Sequence, residues 1–283
     1  MRSDFTVFIL THGRADNVIT YRTLKRLNYT GDVYLVIDNE DKTADRYREL
    51  YGDKVLMFDK LAVSKTFDTA DNFDMPRKQI VYARNVCFEL AKQMGYKYFL
   101  ELDDDYDSFQ WRYVEGKKLK ITECFDLDSL FESMVEFLES SGAMTVALAQ
   151  GGDFIGGVKG GNYKKSLHRK AMNTFFCSTE RPFKFVGRIN EDVNTYTSCG
   201  MRGDLLFTVT MAMITQFQTQ SNKGGMTDTY IDSGTYLKSF YSVIYCPSCV
   251  KVSVMGDKHK RLHHKINWNH CVPHIIDEKW KKV

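Results

Sequence analysis

Short apolar strands alternate with helical segments along the first hundred residues, and this rhythm constrains the fold more than any other feature. Runs of hydrophobic residues are typical of strands that are buried on both faces of a sheet. Crossover helices between such strands place them side by side and parallel. The sequence therefore predicts an α/β fold with a mostly parallel central sheet. The predicted strands are 5–10, 32–37, 54–58 and 98–102, and the predicted helices are 15–27, 42–51 and 77–94.

Three of these strands end in polar side chains. The first is followed by Thr11 to Arg14, the second by Asp38 to Glu40, and the fourth by Asp103 to Asp105. Ligands of open α/β sheets bind beyond the carboxyl ends of the strands. The three clusters are therefore expected to converge on one crevice.

The acidic triplet of residues 103–105 is the most informative of these ends. Because side chains alternate along a strand, Asp103 and Asp105 are expected to point one way and Asp104 the other. Two carboxylates on one side suit a hard divalent cation that also holds a diphosphate. Like charges this close need a cation or solvent to compensate them. The alternative interpretation is a solvated acidic turn after an edge strand.

Composition is that of an ordinary globular protein, with 43% hydrophobic and 27% charged residues in a chain of 283. The net charge of +3 gives no global attraction to nucleic acid, although basic residues cluster at 117–120, 164–170 and 258–261. These clusters could meet phosphates or simply form solvated surface. No stretch approaches the roughly 20 apolar residues of a membrane helix, and the start lacks a signal-peptide layout. We therefore expect a cytoplasmic protein.

Cysteine usage indicates a reducing environment. The seven cysteines mostly lie in apolar surroundings and are expected to be reduced core residues. Cys246 and Cys249 have CxxC spacing, but a tetrahedral zinc site would need two further ligands nearby.

The second half of the chain is less regular. Residues 117–122 are interpreted as an excursion or mobile loop, and the glycine-rich stretch 151–161 permits close backbone approach or mobility. That stretch is neither a GxGxxG turn opening a helix nor a Walker loop, which excludes a dinucleotide-binding or P-loop fold. Further predicted strands are 144–149, 174–178, 205–213 and 242–245, with helices at 126–140 and 225–240.

The combination of motifs is more specific than any single motif. Thr-His-Gly-Arg at 11–14, Leu-Asp-Asp-Asp at 102–105, Gly-Arg-Ile-Asn-Glu-Asp-Val-Asn at 187–194 and Arg-Leu-His-His at 261–264 resemble the TET-associated glycosyltransferase family, from residue 5 to about 276. Their order is similar to that of GT-A-type glycosyltransferases. The resemblance implies one GT-A-type domain over 1–283, with a Rossmann-like, mostly parallel sheet, flanking helices and an acceptor-side subregion. Residues 1–106 would bind the nucleotide sugar and residues 107–283 the acceptor.

The resemblance also implies roles for the crevice residues. Asp103 and Asp105 would hold Mn²⁺ or Mg²⁺ against the diphosphate of a nucleotide sugar, taken to be UDP-linked. The ion would act as a Lewis acid that offsets the charge on the departing diphosphate. The strand ends would meet the nucleoside, and the long helix before the triplet would contact the diphosphate or sugar. The predicted nucleotide-sugar contacts are Thr11, Gly13, Arg14, Asp38, Arg84, Asn85, Asp103, Asp104, Lys258 and Arg261.

A second acidic pair, Glu191 and Asp192, is expected at a helix start. In many glycosyltransferases of this fold, such a pair supplies the base that takes a proton from the acceptor hydroxyl. We favour Asp192 as the base and Glu191 as a positioning group, although the chemistry permits either. The alternative is a helix-capping role, since the helix dipole favours acids in the first turn.

The C-terminal segment holds five of the seven histidines. Enzymes of this fold often complete the metal's coordination with a histidine from this segment, and His263 and His264 are the candidates. A neutral imidazole suits manganese better than magnesium. Lys258 or Arg261 would clamp the phosphates. The alternative is a basic tail packed by Trp268.

The family resemblance, and not composition or spacing, implies the acceptor. Members are thought to add sugars to hydroxymethylated bases, chiefly 5-hydroxymethylcytosine, in bacteriophage DNA, which places the reaction in the host cytoplasm. A base in double-stranded DNA must be reached from the major groove or flipped out, and flipping costs a few kcal/mol. The candidate DNA contacts are Trp111, Tyr113, Lys117, Lys118, Lys164, Lys165 and Arg169.

Other functions stay open at this point. A glycosyltransferase acting on a glycan, lipid or protein would use the same donor site. A metal-dependent nucleotidyltransferase usually has a long glycine-rich loop after the first strand, for which Thr11 to Arg14 is too short. A non-catalytic DNA-binding or scaffold protein has no evident need for two acid clusters and a histidine-rich tail.

Overall fold

The computed structural model describes residues 1–69, 79–164, 167–216, 238–255, 260–273 and 278. Its strands form one large sheet and a separate two-stranded hairpin. The strands are β1 (Phe5–Leu10), β2 (Asp32–Asp38), β3 (Val55–Phe58), β4 (Tyr98–Asp103), β5 (Tyr106–Glu115), β6 (Lys118–Glu123), β7 (Thr145–Ala149), β8 (Leu167–His168), β9 (Thr174–Ser178), β10 (Leu206–Gln216), β11 (Val250–Met255) and β12 (Arg261–Ile266).

The large sheet has ten strands in the order β3-β2-β1-β4-β9-β7-β10-β5-β6, and β8 pairs with β10. The first four strands in this order run parallel to one another. β9 lies antiparallel between β4 and β7, and β7 in turn runs parallel to β10. The sheet confirms the predicted fold class, α/β of the GT-A type with flanking helices.

Helices cover both faces of the sheet. Asp126 caps one helix by accepting a hydrogen bond from the Ser129 N–H at 3.1 Å, and that helix ends at Gly142, whose φ of 65° suits glycine. No helix within the described ranges has the length and apolar character to span a lipid bilayer. The helices are α1 (Ile19–Arg26), α2 (Ala44–Tyr51), α3 (Lys60–Ser64), α4 (Val81–Gln93), α5 (Leu127–Ser141), α6 (Gly161–Lys164), α7 (Glu191–Arg202) and α8 (residues 238–245).

Strand β1 shows why the parallel half is so apolar. All six of its residues are buried, and its five apolar side chains alternate between two hydrophobic cores. Val7 and Ile9 join the core that contains α1 and α5, whereas Phe8 and Leu10 join the core that contains α4 and α7. A strand covered on both faces needs apolar side chains throughout. Polar side chains that can reach a ligand are therefore expected at the end of such a strand, and the clusters after β1, β2 and β4 lie there.

Two predicted elements are wrong. Residues 117–122, interpreted as an excursion or mobile loop, lie mostly in β6, which pairs antiparallel with β5 as an exposed hairpin. Residues 242–245, expected as a strand, are helical and belong to α8. The predicted helix 15–27 is divided into a short 3-10 turn, Ala15–Asn17, and α1. Most of the helix predicted over 225–240 lies outside the described residues.

Candidate active site

The sheet brings the carboxyl ends of β1, β2 and β4 to one edge. Leu10 is in register with Asp103 of β4 on one side and with Val36 of β2 on the other. The polar residues that follow each strand therefore start at the same level of the sheet. Side-chain contacts between these segments bear out the expected convergence.

Asp104 braces the turn that follows β1. Its carboxylate accepts hydrogen bonds from the Thr11 hydroxyl and the Arg14 guanidinium, both at 2.7 Å. Asp104 is buried, and burial raises the pKa of its carboxyl group against the opposing effect of Arg14. In the same turn, Gly13 has a φ of +70° and its N–H donates to Asp41 at 2.8 Å. Asp104 and Asp103 face different partners, as the alternation along the strand predicts.

Asp38 lies at the end of β2 inside a charged cluster. Its carboxylate is 2.8 Å from His12 Nδ1 and 2.9 Å from Lys60 Nζ, and it also accepts the Glu40 N–H at 3.0 Å. Although burial opposes ionisation, the hydrogen bonds from His12 and Lys60 lower the pKa of Asp38. The side chain of Asp38 is 6% exposed, whereas that of His12 is 38% exposed. The oxygens of Asp38 are thus buried and engaged by protein groups, and its contact with the nucleoside stays a prediction.

Arg84 of α4 is the centre of a second, larger cluster. Its guanidinium lies 3.0 Å from Asp103, 3.2 Å from Glu191 and 3.5 Å from Glu101. It also stacks over the Phe175 ring, 4.8 Å from the centroid. Burial opposes the charge of Arg84, but the three carboxylates around it raise the pKa of the guanidinium. The network joins β4 to the start of α7.

Two predicted ligand contacts on α4 have partners within the protein. Arg84 is 2% exposed and its donors face carboxylates, so in this structure it joins the acids of the site, and its contact with the diphosphate or sugar stays a prediction. Asn85 is also buried, and its amide exchanges two hydrogen bonds of 2.9 Å with the backbone of Phe185. That pair of bonds fixes the segment leading to α7.

Glu101 was not predicted to belong to the site. It lies in the apolar run of β4 and is fully buried beside Arg84. Burial raises the pKa of its carboxyl group to about 8, although Arg84 acts in the opposite direction. An acid in the middle of an otherwise apolar strand, two residues before the triplet, is the sequence signal that could have identified it.

The corner formed by Asp103 and Asp105 carries more negative charge than its neighbours neutralise. Burial, followed by the charges of Asp103 and Asp104, raises the pKa of Asp105 to about 7. Burial also raises the pKa of Asp103, against the effect of Arg84. Within the described part of the chain, the Asp105 carboxylate has no side-chain partner. Excess buried negative charge is the condition that a divalent cation satisfies, so these residues fit Mn²⁺ or Mg²⁺.

Glu191 and Asp192 open α7, as predicted. Burial raises the pKa of both carboxyl groups. Glu191 is held by Arg84, whereas Asp192 accepts a hydrogen bond from the Val193 N–H at 2.7 Å. Asn190 precedes the pair in the left-handed region, with a φ of 54°, and its side chain donates to the Lys238 carbonyl at 2.7 Å. The α7 start is thus anchored to α8.

His263 and His264 lie on β12 with their rings stacked at 4.3 Å. Burial lowers the pKa of both imidazoles, that of His264 to about 4, so both are neutral at pH 7 and able to bind a metal. Across the described ranges, however, no group of three or more His, Cys, Asp or Glu side chains is arranged to hold a metal ion. The histidines therefore do not form a three-ligand cluster with Asp103 and Asp105, and their metal role stays a prediction. Arg261 is exposed at the start of β12, and Lys258 lies outside the described residues.

The predicted DNA contacts divide between two places. Trp111 and Tyr113 are 37% and 42% exposed on β5, and the register sets Tyr113 opposite Lys120. Lys118 lies opposite Glu115, which makes these side chains one exposed face of the β5–β6 hairpin. Lys117 is exposed in the turn that joins the two strands.

The remaining predicted DNA contacts lie elsewhere. Arg112, on the opposite face of the hairpin, stacks over Phe154, whose ring packs near Tyr163 at 6.2 Å. Lys164 follows Tyr163 and is exposed, so it belongs to that opposite side. Arg169 lies beside Gly200 of α7. Lys165 lies outside the described residues, and the DNA role of the whole set stays a prediction.

Two solved structures illustrate the likeness of the fold. Glucosyl-3-phosphoglycerate synthase from Mycobacterium tuberculosis in complex with Mg²⁺ and uridine-diphosphate is 10% identical, with 93% of this chain and 87% of that chain covered and a TM-score of 0.48. The same enzyme with Mn²⁺, uridine-diphosphate and phosphoglyceric acid is also 10% identical, with 93% and 86% covered and a TM-score of 0.47. No curated protein matches the chain significantly.

A family model settles the class of the protein. The model for TET-Associated Glycosyltransferase matches residues 5–225, which include the strand-end clusters, Arg84 and the acids of α7. The match ends before His263 and His264, although the motif resemblance extends to about residue 276. The chain belongs to the TET-associated glycosyltransferase family and is a glycosyltransferase.

Proposed function

We propose that the protein transfers a sugar from a UDP-linked nucleotide sugar to the hydroxymethyl group of 5-hydroxymethylcytosine in double-stranded bacteriophage DNA, with Mn²⁺ or Mg²⁺ as cofactor. One observation carries this proposal. The Arg84 guanidinium lies 3.0 Å from Asp103 at the strand end and 3.2 Å from Glu191 at the helix start. A donor-side acid and an acceptor-side acid are thereby held in one buried network, as a group transfer between two substrates requires.

On the donor side, Asp103 and Asp105 are the residues that would hold the metal ion. When bound, the ion supplies Lewis-acid stabilisation of the departing diphosphate. Asp104 and Thr11 keep the turn after β1 in place, and Arg14 brings a positive charge to the same edge of the sheet. Arg84 limits the repulsion between the acids without using their exposed sides, since Asp103 remains 24% exposed.

On the acceptor side, Asp192 is the general base if the transfer inverts the configuration at the anomeric carbon. It takes the proton from the acceptor hydroxyl while the oxygen of that hydroxyl forms the new bond to the sugar. Its raised pKa makes it a stronger proton acceptor than an ordinary carboxylate. Glu191 is engaged by Arg84 and so acts as the positioning group of the pair.

The family resemblance supports the choice of DNA as the acceptor, and the hairpin face offers a surface suited to it. Trp111 and Tyr113 present exposed rings on which bases can stack, while Lys118 and Lys120 share that face and can meet phosphates. We expect the Lys118→Ala/Lys120→Ala variant to bind DNA more weakly, with the slope of log K against log salt reduced by about 1 to 2. A gel-shift series over salt concentration measures this, with Lys92→Ala as a control on α4. An unchanged slope would remove this face from the DNA site.

The decisive experiment incubates the protein with Mn²⁺, a panel of nucleotide sugars, and either hydroxymethylated or plain DNA. Mass spectrometry of the digested nucleosides identifies the base that gains a hexose or pentose. The proposal expects a gain on 5-hydroxymethylcytosine with a UDP sugar and none on plain DNA. Transfer to a glycan or protein acceptor, with none to DNA, would overturn the acceptor and keep the donor site.

A further inference from the structure

His12 is the exposed tip of an otherwise buried charged cluster. The side chains of Asp38, Asp41 and Lys60 are 6%, 1% and 3% exposed, whereas that of His12 is 38% exposed. Lys60 and Asp38 form an ion pair at 2.9 Å, and His12 Nδ1 lies 2.8 Å from the same Asp38 oxygen. A buried ion pair that orients one accessible imidazole is a common way to fix a ring for recognition.

The hydrogen-bonding character of this ring follows from its partner. Asp38 is ionised, because His12 and Lys60 lower the pKa of its carboxyl group despite burial, and an ionised carboxylate only accepts hydrogen bonds. His12 Nδ1 must therefore carry a proton and donate it. In the neutral ring, Nε2 is then an acceptor, and within the described residues it has no hydrogen-bond partner.

We propose that His12 selects the base of the donor nucleotide by accepting a hydrogen bond at Nε2 from the N3–H of uracil. The proposal rests on the nucleotide-sugar function proposed above, and it is carried by the position of His12 directly after β1 and beside the end of β2. Ligands of open α/β sheets bind at this edge. Cytosine has almost the same shape as uracil, but its N3 is an acceptor, so two lone pairs would face each other. Asp38 and Lys60 act as positioning residues because they set the ring's tautomer and direction.

Isothermal titration calorimetry with UDP and CDP in the presence of Mn²⁺ tests this assignment. The wild-type protein is expected to bind UDP about tenfold or more tightly than CDP, since one unmatched hydrogen-bonding group costs roughly this factor. His12→Phe keeps a flat ring without the acceptor, so the preference should fall to near one, mainly through weaker UDP binding. His12→Gln restores an amide oxygen and should recover part of the preference.

Two further variants separate recognition from packing. Asp38→Asn allows the ring to adopt either tautomer, so the UDP preference should fall although His12 remains in place. His270→Phe removes an exposed histidine of the C-terminal segment and should leave the preference unchanged. Circular dichroism confirms that each variant is folded before its affinities are compared.

The outcomes distinguish this inference from the function on which it rests. Equal binding of UDP and CDP by the wild-type protein, or an unchanged preference in folded His12→Phe, overturns the role of His12 and leaves the nucleotide-sugar donor standing. The absence of binding to UDP, CDP and any UDP sugar overturns both.

Discussion

Two charged clusters lie at the same edge of the sheet, yet they differ in how their carboxylates are paired and in the direction of the pKa shifts. Around Asp38, one buried carboxylate meets a buried lysine and a histidine, and its pKa is lowered. Around Arg84, one guanidinium faces three carboxylates, and the acids of this cluster have raised pKa values. In the first cluster, protein hydrogen-bond donors match both buried acids, Asp38 and Asp41, whereas the second cluster is short of positive charge.

This difference assigns separate tasks to the two strand ends. A balanced cluster is rigid and can orient a neighbouring group, as Asp38 does for His12. An acidic cluster with unmatched charge attracts a cation from outside, as expected for Asp103 and Asp105. The sequence alone does not distinguish acids whose charge is matched from acids whose charge is unmatched, because this depends on which residues lie next to them in the fold.

The largest effect should come from removing the unmatched acids. Asp103→Ala/Asp105→Ala is expected to lower transfer activity by at least about a thousandfold, because metal stabilisation of the leaving group is worth several kcal/mol. The fold should survive, since the change relieves repulsion between buried acids. Turnover by mass spectrometry and Tm by differential scanning fluorimetry measure both effects. The wild-type Tm should also rise with Mn²⁺, and that rise should vanish in the variant.

Asp53→Ala removes an exposed acid that belongs to neither cluster and serves as the control. It should change neither the transfer activity nor the Tm. Full activity of the double variant in the presence of a chelator would show that this corner needs no cation, and the contrast between the two clusters would fail.

Removing the central cation should break the acidic cluster itself. Arg84→Met leaves buried carboxylates without their partner, and we expect the free energy of unfolding to fall by about 3–5 kcal/mol. Urea denaturation measures it. Arg26→Met is the matched control, because Arg26 pairs with Glu123 at the surface at 2.7 Å and its loss should cost no more than about 1 kcal/mol. Equal losses in the two variants would contradict the central role of Arg84.

Adding Glu101→Gln to Arg84→Met tests whether Glu101 and Arg84 interact energetically. Above about pH 8, where the Glu101 carboxyl group with its pKa of about 8 is ionised, the amide removes one of the buried charges that Arg84 neutralises. Under these conditions the double variant should regain part of the stability lost by Arg84→Met. Additive losses would mean that Glu101 and Arg84 do not interact energetically.

The smallest effect concerns the pH dependence of the balanced cluster. Since the folded pKa of Asp38 lies below its unfolded value, its contribution to stability is present above the unfolded pKa of about 4 and is lost as pH falls through the folded pKa. Asp38→Asn should therefore flatten the acid limb of stability below about pH 4. Urea denaturation at several pH values checks this, with Asp53→Asn as control. If the stability of Asp38→Asn falls with decreasing pH as steeply as that of the wild-type protein, the fold does not stabilise the ionised form of Asp38.

The parallel half of the fold could be predicted closely because its signals are local. β1, β2 and β4 agree with their predicted bounds to within one residue, and the triplet lies at the predicted edge. The hairpin was missed because exposed strands rich in lysine lack the apolar run that marks a buried strand. Residues 242–245 were read as a strand because a short apolar run does not distinguish strand from helix.

The partners within the site could not be predicted for a different reason. Arg84 and Glu191 are 107 positions apart, and Asp38 and Lys60 meet only because β2 and β3 pair. One sequence shows which residues can carry charge, but not which of them cancel each other. The contacts that Arg84, Asn85 and Asp38 make within the protein could therefore not be predicted, and their roles as ligand contacts stay predictions.

Arg84 and Asn85 are consecutive residues of helix α4, and their side chains contact different segments of the chain. Arg84 pairs with Asp103 at the end of β4 and with Glu191 at the start of α7. Asn85 hydrogen-bonds to the backbone of Phe185. Helix α4 thus fixes the positions of Asp103, Glu191 and the Phe185 backbone relative to one another. Because Arg84 and Asn85 lie on the same helix, a rotation of α4 would break both sets of contacts at once.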